Sequence, residues 1–148
     1  MSGIFSAFRI TASALTSQRL RMDVTANNVA NAETTRTEEG GPYQRQQVVF
    51  EAKQDGPNFI PTSFPVNNSK PGQGVHVTAI VADDSPGNRV YDPDHPDADE
   101  EGFVTYPNVN IVTEMTDMLS ATRSYEANVT VFNSLKNMAL RALDIGRS

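Results

Sequence analysis

The sequence contains no cysteine and no long run of apolar residues. Without cysteine the chain can form no disulfide, no thiolate metal site and no cysteine nucleophile. No stretch approaches the roughly 20 consecutive apolar residues that a membrane-spanning helix needs. The N-terminal region also lacks the apolar segment of a secretory signal, because Arg9 and Thr11 interrupt it. We therefore expect that export, if it occurs, follows a route that leaves no cleaved signal.

Apolar and aromatic residues are scarce for a chain of 148 residues. Hydrophobic residues make up 38% of the sequence, tryptophan is absent, and the 4 tyrosines and 7 phenylalanines are widely spaced. An ordinary globular domain has roughly 45–50% apolar residues when glycine is counted. Such a thin core predicts a chain that buries apolar surface against its neighbours as well as within itself.

Basic residues are few and do not cluster. The formal net charge of the chain is −6. Residues 32–107 carry 13 acidic and 5 basic residues, which gives this middle part a net charge of −8. No basic stripe is available to contact phosphates, so a nucleic acid is not expected as a partner.

Residues suited to catalysis or metal binding are equally sparse. His76 and His95 are the only histidines, and there is no G-x-S-x-G turn, phosphate-binding glycine loop or H-E-x-x-H helix. Residues 92–101 form the only dense set of oxygen ligands that could suit a divalent cation. They lack the spacing of a calcium loop, and two prolines restrict how their side chains converge. We expect a solvated acidic loop, and neither a metal, a cofactor, a small-molecule substrate nor an enzymatic activity.

Proline divides the chain into three parts. All 9 prolines lie between Pro42 and Pro107, and proline costs about 3 kcal/mol inside a helix. Long helices are therefore expected only at the two ends, and the predicted fold class is α+β, with a small irregular insert that contains strands. We divide the chain into an N-terminal helical assembly segment (1–35), an acidic insert rich in proline and glycine (36–106) and a C-terminal helical assembly segment (107–148).

The N-terminal part has apolar residues at a spacing of seven, which is the heptad pattern of a coiled coil. A helix from about Ser2 to Asn31 would be ~45 Å long. Polar Gln18 and Thr25 occupy alternate seam positions, which is unusual for an ordinary buried core helix. The heptad residues are Phe8, Leu15, Met22 and Val29.

The C-terminal part predicts a longer helix, from about residue 110 to 145 and ~54 Å long. Asn108 or Asn110 is expected to cap its start. Gly146 is expected to end it in the left-handed conformation. The main apolar stripe consists of Ile111, Met115, Met118, Thr122, Tyr125, Val129 and Phe132.

The insert predicts four short strands. Tyr43–Glu51 and Val75–Val81 have strand patterns, and the second alternates as a half-buried strand does. Arg89–Tyr91 and Gly102–Tyr106 are candidates to pair with them. Residues 52–74 show little pattern and are predicted to be mobile unless a partner orders them.

Two interpretations of the terminal helices are possible. They can pack as an intramolecular hairpin with the insert as a surface loop. Alternatively, their apolar residues, with Leu119 and Leu135 beside the main stripe, exceed what two helices can bury and favour association with neighbouring subunits. The asparagines at 27, 28 and 31 are similarly open: they mark a polar helix end, or their amides bond across subunit contacts and fix register.

The terminal segments resemble those of a known family. The stretch from Ile4 to Thr37, above all DVTANNVANAETT at 23–35, resembles the N-terminal motif of the flagellar rod, hook and hook-filament axial proteins. Residues 102–147 are similar to the C-terminal motif of the same group. Segments 36–46 and 91–102 are similar to its proximal rod protein C subtype. Two long motifs in the correct order make the resemblance specific.

The resemblance implies a structural subunit of the bacterial flagellar proximal rod, a periplasmic drive shaft that passes torque from the inner-membrane ring to the hook. Implied partners are copies of the chain, other rod proteins and the flagellar type III export apparatus, with the ring and rod-base adaptor proteins as further candidates. The resemblance assigns tube-forming roles to Phe8, Leu15, Met22, Val29, Met115, Met118, Tyr125, Val129 and Phe132. Motif positions without assigned contacts are Asn27, Asn28, Asn31, Pro107, Asn108 and Asn110. The alternative is a secreted adaptor or an acidic module that binds a partner through one helix face.

Overall fold

The computed structural model describes residues 2–53 and 72–146, and it has a helix at each end and two small β-sheets between them. The element order is α1 (Ser2–Ala30), β1 (Gln46–Ala52), β2 (Val75–Ala82), β3 (Asn88–Tyr91), β4 (Phe103–Tyr106) and α2 (Ile111–Ile145). The α+β class is confirmed, and both helices end close to their predicted bounds. Among the described residues, neither helix is long and apolar enough to cross a membrane. The sequence predicts a mobile segment at 52–74, and its residues 54–71 lie outside the described residues.

The two helices pack against each other in antiparallel orientation. Near one end, Phe8 and Phe132 meet edge to face with ring centroids 5.1 Å apart. Near the other end, the side-chain amide of Asn28 donates a hydrogen bond of 2.9 Å to the carboxylate of Glu114. The intramolecular hairpin of the first interpretation is therefore present, although it leaves apolar side chains of α2 exposed.

The side chains that α1 buries are mostly polar or small. The apolar heptad residues Phe8, Leu15, Met22 and Val29 are only half-buried. The buried residues of α1 are Thr11, Ser17, Val24, Thr25 and Asn28. Thr11 satisfies its hydroxyl by donating to the Ala7 carbonyl oxygen, 2.9 Å away, within its own helix. Thr25, a polar seam position, is thus buried, Gln18 is half-buried like the apolar heptad residues, and the larger apolar residues lie at the edges of the helix contact.

The insert forms two separate antiparallel sheets, one from β1 and β2 and one from β3 and β4. The expectation that the two short strands would pair with the longer ones is wrong. The loop between β3 and β4 closes on itself, because the Asp92 amide donates to the Gly102 carbonyl oxygen over 2.9 Å. Gly102 has a φ of 81°, and a Cβ there would lie 2.9 Å from the Tyr91 ring. This tight closure brings the two short strands together.

The sheet of β1 and β2 is anchored on α1 through the start of β2. Gly74 has a φ of 105°, and a Cβ at this position would collide with the Ser13 side chain. The Ser13 hydroxyl accepts a hydrogen bond of 3.2 Å from the backbone amide of Val75. Glycine therefore lets the strand approach the helix closely enough for this bond to form.

The predicted half-buried character of β2 holds only for its first residues. Val75 and Val77 are half-buried, but every residue from Thr78 to Ala82 is exposed. The pairing with β1 shifts its register between Val49 and Phe50. Such an irregularity inserts an extra residue and breaks the alternation of faces.

The two ends of α2 differ in how well they were predicted. Asn110 is the N-cap residue, and its side-chain oxygen accepts hydrogen bonds from the amides of Val112 and Thr113. Gly146 was expected in the left-handed conformation, which is wrong: it has φ −76° and ψ −9°. Its amide still donates to the carbonyl oxygen of Ala142, 3.2 Å away. The last turn therefore continues the right-handed helix instead of reversing it.

The Asn110→Ala substitution should lower the free energy of unfolding by about 1 kcal/mol, because it removes the acceptor for two amides at the helix start. Urea denaturation followed by far-UV circular dichroism measures this loss. Asn110→Asp retains an acceptor and serves as the matched control. An equal loss in both variants would contradict the capping role.

Candidate assembly surface

Asn28 is the residue at which α1, β1 and α2 converge, and it is only 1% exposed. Its amide nitrogen donates to the Gln46 carbonyl oxygen at 2.8 Å and to the Glu114 carboxylate at 2.9 Å. Its oxygen accepts from the Gln46 amide and from the Tyr43 hydroxyl, each at 2.9 Å. These four bonds use both donors and both acceptor positions of the side chain. Asn28 therefore has no remaining hydrogen-bonding capacity for a neighbouring subunit.

Glu114 is a buried carboxylate, 1% exposed, in the first turn of α2. The Arg45 guanidinium donates to its second oxygen over 2.6 Å. A buried charge is costly unless a counter-charge and hydrogen-bond donors reach it, and here Arg45 and Asn28 supply both. We call Asn28, Arg45 and Glu114 the polar clamp, since together they hold the insert against both helices.

Tyr43, in the segment that precedes β1, donates a hydrogen bond to Asn28 of the polar clamp. Burial, and then the negative charge of Glu114, raise the pKa of Tyr43 above its ordinary value of 10.0. The hydroxyl therefore stays protonated in neutral solution and continues to donate to Asn28. Asn27 donates a longer bond of 3.3 Å to the same hydroxyl.

Asn108 connects the residue before β1 with the residue after β2. Its side-chain oxygen accepts from the Arg45 amide, and its nitrogen donates to the Asp83 carbonyl oxygen, both at 3.1 Å. It lies directly after Pro107, which is buried. These two predicted site residues therefore position the insert at the base of α2.

Asn27 and Asn31 make the contacts of a polar helix end. The Asn31 side chain donates to the carbonyl oxygen of Asn27 at 2.9 Å and to its side-chain oxygen at 3.0 Å. The Thr34 hydroxyl donates to Asn31 over 3.2 Å. Asn27 is exposed and Asn31 half-buried. Their contact with a neighbouring subunit stays a prediction.

Sequence reasoning did not identify Tyr43, Arg45 or Glu114 as site residues. One signal pointed to Glu114: it is a carboxylate between Ile111 and Met115, beside the apolar stripe of a predicted helix. A charged residue in that setting requires a partner. Nothing local indicated Arg45, which lies 69 residues away in sequence.

A groove of about 480 Å³ lies between the two helices. Its walls are Arg19, Met22, Asp23 and Ala26 from α1, and Met118, Thr122 and Tyr125 from α2. Three of the predicted interface residues, Met22, Met118 and Tyr125, therefore share one concave surface. We call it the interhelical groove.

An exposed apolar stripe lies on α2 close to the interhelical groove. Ile111, Met115 and Leu119 are 44%, 60% and 53% exposed. They follow one another at four-residue spacing and so lie on one side of the helix. Val129 is half-buried further along the same helix. Phe8 and Phe132, by contrast, cover each other within the chain.

Two carboxylates of the acidic loop at 92–102 accept hydrogen bonds from other parts of the chain. Asp99 accepts hydrogen bonds from the Phe103 amide at 2.8 Å and from the Arg89 guanidinium at 2.7 Å. The bond from the Phe103 amide is the main cause that lowers the pKa of Asp99. Asp97 accepts from the Thr35 hydroxyl over 2.7 Å, which ties the loop to the segment that follows α1. In the described part of the chain, no three acidic, histidine or cysteine residues are grouped to hold a metal ion.

Known proteins match both ends of the chain and the insert between them. The family model described as "Flagella basal body rod protein" matches residues 8–36, and "Flagellar basal body rod FlgEFG protein C-terminal" matches residues 100–145. The flagellar basal-body rod protein FlgC of Borreliella burgdorferi is 48% identical, over 97% of each chain. Proteins of the same name from Bacillus subtilis and Salmonella typhimurium are 46% and 37% identical, over 97% of this chain and 98% of theirs.

The Asn28→Ala substitution should lower the free energy of unfolding by about 2–4 kcal/mol, because it leaves buried partners in Glu114 and the β1 backbone without their hydrogen bonds. Equilibrium urea unfolding of the isolated chain measures the change. The neighbouring Asn27→Ala is the control, and we expect a loss of about 0.5 kcal/mol or less at this exposed position. Losses of similar size in both variants would refute the clamp.

Proposed function

Since the chain belongs to the FlgC family of flagellar basal-body rod proteins, we propose that its two terminal helices assemble with copies of itself and with other rod proteins into the proximal rod. The chain is a structural subunit of the flagellar basal body and not an enzyme. The observation that carries the proposal is the near full-length similarity to the FlgC relatives, which includes both helices and the insert. The alternative of a secreted adaptor or acidic binding module is not favoured by these relatives.

The exposed apolar surface of the helix pair supports assembly through the helices. Each apolar side chain that a neighbour covers stabilises the contact by about 1.5–3 kcal/mol. A contiguous apolar surface on a rigid support is typical of an interaction site. We propose that direct contacts come from the interhelical groove and the stripe beside it, that is from Met22, Tyr125, Val129, Ile111, Met115 and Met118.

The other predicted site residues act indirectly in this proposal. Phe8 and Phe132 hold the helices together, and Asn28, Pro107 and Asn108 hold the insert in place. The segments 1–35 and 107–148 would then form the inner tube, and residues 36–106 would face outward. Leu15 and Val29, half-buried on α1, and Asn27 and Asn31 at its end remain available to a neighbour.

We further propose a periplasmic location, with the rod passing torque from the inner-membrane ring to the hook. Delivery would use the flagellar type III export apparatus without a cleaved signal. Two helices of 29 and 35 residues, linked along their length and clamped to the insert, suit a part that must resist twisting. Contacts with the ring and with rod-base adaptor proteins belong to the same proposal.

An in-frame deletion of the gene, followed by electron microscopy of isolated basal bodies, tests the function. We expect rings without a rod or hook, and restoration of both when the gene is supplied in trans. Complete rods and hooks in the deletion strain would contradict the proposal.

The Met118→Asp substitution should abolish rod formation while the isolated chain stays folded, because a neighbour would have to bury an unpaired charge in the groove. Motility and basal-body micrographs measure the effect. Ser120→Asp is the matched control, since this exposed position lies about 200° around the helix from Met118. Phe132→Asp should instead unfold the hairpin as well, because its ring packs on Phe8. Normal rods with Met118→Asp would refute the groove as an assembly contact.

A further inference from the structure

A cavity of about 510 Å³ lies on the sheet of β3 and β4 and shares no lining residue with the interhelical groove. Asn88 and Tyr106 are paired across the two strands, so their side chains lie on one face of the sheet, and Val90 lies on the same face. Glu33, from the segment that follows α1, and His95, from the acidic loop, complete the lining. We call this space the sheet cavity. Its volume is within the range of about 300–1,000 Å³ that is typical of ligand sites.

Contacts between the acidic loop and the segment after α1 hold the sheet cavity in shape. Asp97 accepts a hydrogen bond of 2.7 Å from the Thr35 hydroxyl, and the Arg36 guanidinium lies 3.7 Å from the same carboxylate. The Asp97 amide donates to Nδ1 of His95 over 3.1 Å. The His95 ring meets the Tyr106 ring at an angle of 64°, with the ring centroids 6.3 Å apart. The cavity is therefore formed within one chain, without residues from a neighbour.

The polar side chains that line the sheet cavity have unused hydrogen-bonding groups. Within the part of the chain that the structure describes, Glu33 forms no ion pair, and the Asn88 amide and the Tyr106 hydroxyl form no hydrogen bond. His95 accepts through Nδ1, so in the neutral ring the proton is on Nε2, which can donate to an occupant. Glu33 and Asn88 are also exposed, which makes the cavity accessible from solvent. A carboxylate, an amide, a hydroxyl and an imidazole N–H are thus available to a ligand.

The group that fits this lining best is the guanidinium of an arginine. Glu33 supplies a negative charge without an internal counter-charge, in a region where residues 32–107 have a net charge of −8. A guanidinium has five donors in one plane, which the Glu33 carboxylate and the Asn88 carbonyl can accept together. Its flat surface also stacks on an aromatic ring, which Tyr106 provides. The Nε2–H of His95 cannot bond a cation but suits a backbone carbonyl oxygen, so the arginine is expected within a polypeptide.

We propose that the sheet cavity binds an arginine side chain of a different protein, one that contacts the outer side of the rod. The proposal rests on the proposed rod function, in which the helices contact other subunits and residues 36–106 face outward. In this contact Glu33 pairs with the guanidinium, Tyr106 lies against its plane, and His95 donates to the partner's backbone. The negative charge of the surrounding residues favours the approach of a basic partner.

Titration of the purified full-length chain with N-acetyl-argininamide, followed by heteronuclear NMR, tests the chemistry of the site. We expect saturable shifts in the signals of Asn88 and His95. The matched control ligand is N-acetyl-citrullinamide, which has a similar shape without the charge and should give no saturable shift. Glu33→Gln should weaken binding of the arginine compound roughly tenfold, because it removes the counter-charge. Glu38→Gln, at another exposed carboxylate of the same segment, should leave the binding unchanged.

Three results of this titration would overturn the proposal. They are equal binding of the arginine and citrulline compounds, unchanged binding by Glu33→Gln, and equally tight binding of N-acetyl-lysinamide, which lacks the planar group. None of them depends on rod assembly, so each would leave the rod function standing. Complete rods in the deletion strain would instead contradict the rod function itself.

Photo-cross-linking in isolated basal bodies tests the partner. Val90, which is exposed at the sheet cavity, would be replaced by p-benzoylphenylalanine. We expect a cross-link to a different protein at a peptide that contains an arginine, lost with Glu33→Gln and retained with Glu38→Gln. A cross-link to a second copy of the chain, a cross-linked peptide without arginine, or complete basal bodies without a cross-link would overturn the proposal.

Discussion

The buried carboxylate of Glu114 is the constraint on which the arrangement of the chain depends. A carboxylate out of contact with water requires a cation and hydrogen-bond donors. The cation, Arg45, comes from the insert, and a donor, Asn28, comes from α1. Meeting this one requirement brings three distant segments to a single point. Polar bonds, whose direction is specific, therefore help to fix the insert against the helix pair.

The chain places polar and small residues at its helix contact and larger apolar residues at its surface. Thr11 and Ala121 are buried, whereas Met115 and Leu119 are exposed. Small side chains let the two helices approach closely, and the Thr11 hydroxyl among them donates to a carbonyl oxygen of its own helix. The consequence is a subunit that keeps its shape with little apolar burial and retains apolar surface for its neighbours. The scarcity of hydrophobic residues in the sequence is consistent with this division.

The elements of the fold could be predicted from the sequence because each depends on local chemistry. Proline excludes long helices from the middle, heptad spacing marks α1, and alternation marks β1 and β2. Predictions failed where the outcome depends on distant or fine geometry. The pairing of β3 with β4 follows from the closure at Gly102, and the clamp joins Arg45 to a residue with no local relation to it. The heptad pattern predicted that α1 would contact another helix. It did not predict that polar Thr25 would be more deeply buried than apolar Met22. The groove needed both helices in place before Met22 and Met118 could be seen together.

The separation of Asn28 and Glu114 along the chain affects the order in which the contacts form during folding. They are 86 residues apart, so the hydrogen bond between them forms only after a large loop has closed, and the entropy of that closure delays folding. Until α2 is available, Asn28 lacks one of its partners and the helix pair cannot form. A chain that is still being synthesised therefore lacks this contact. The helix hairpin and its contact with the insert therefore form last, after α2 is complete.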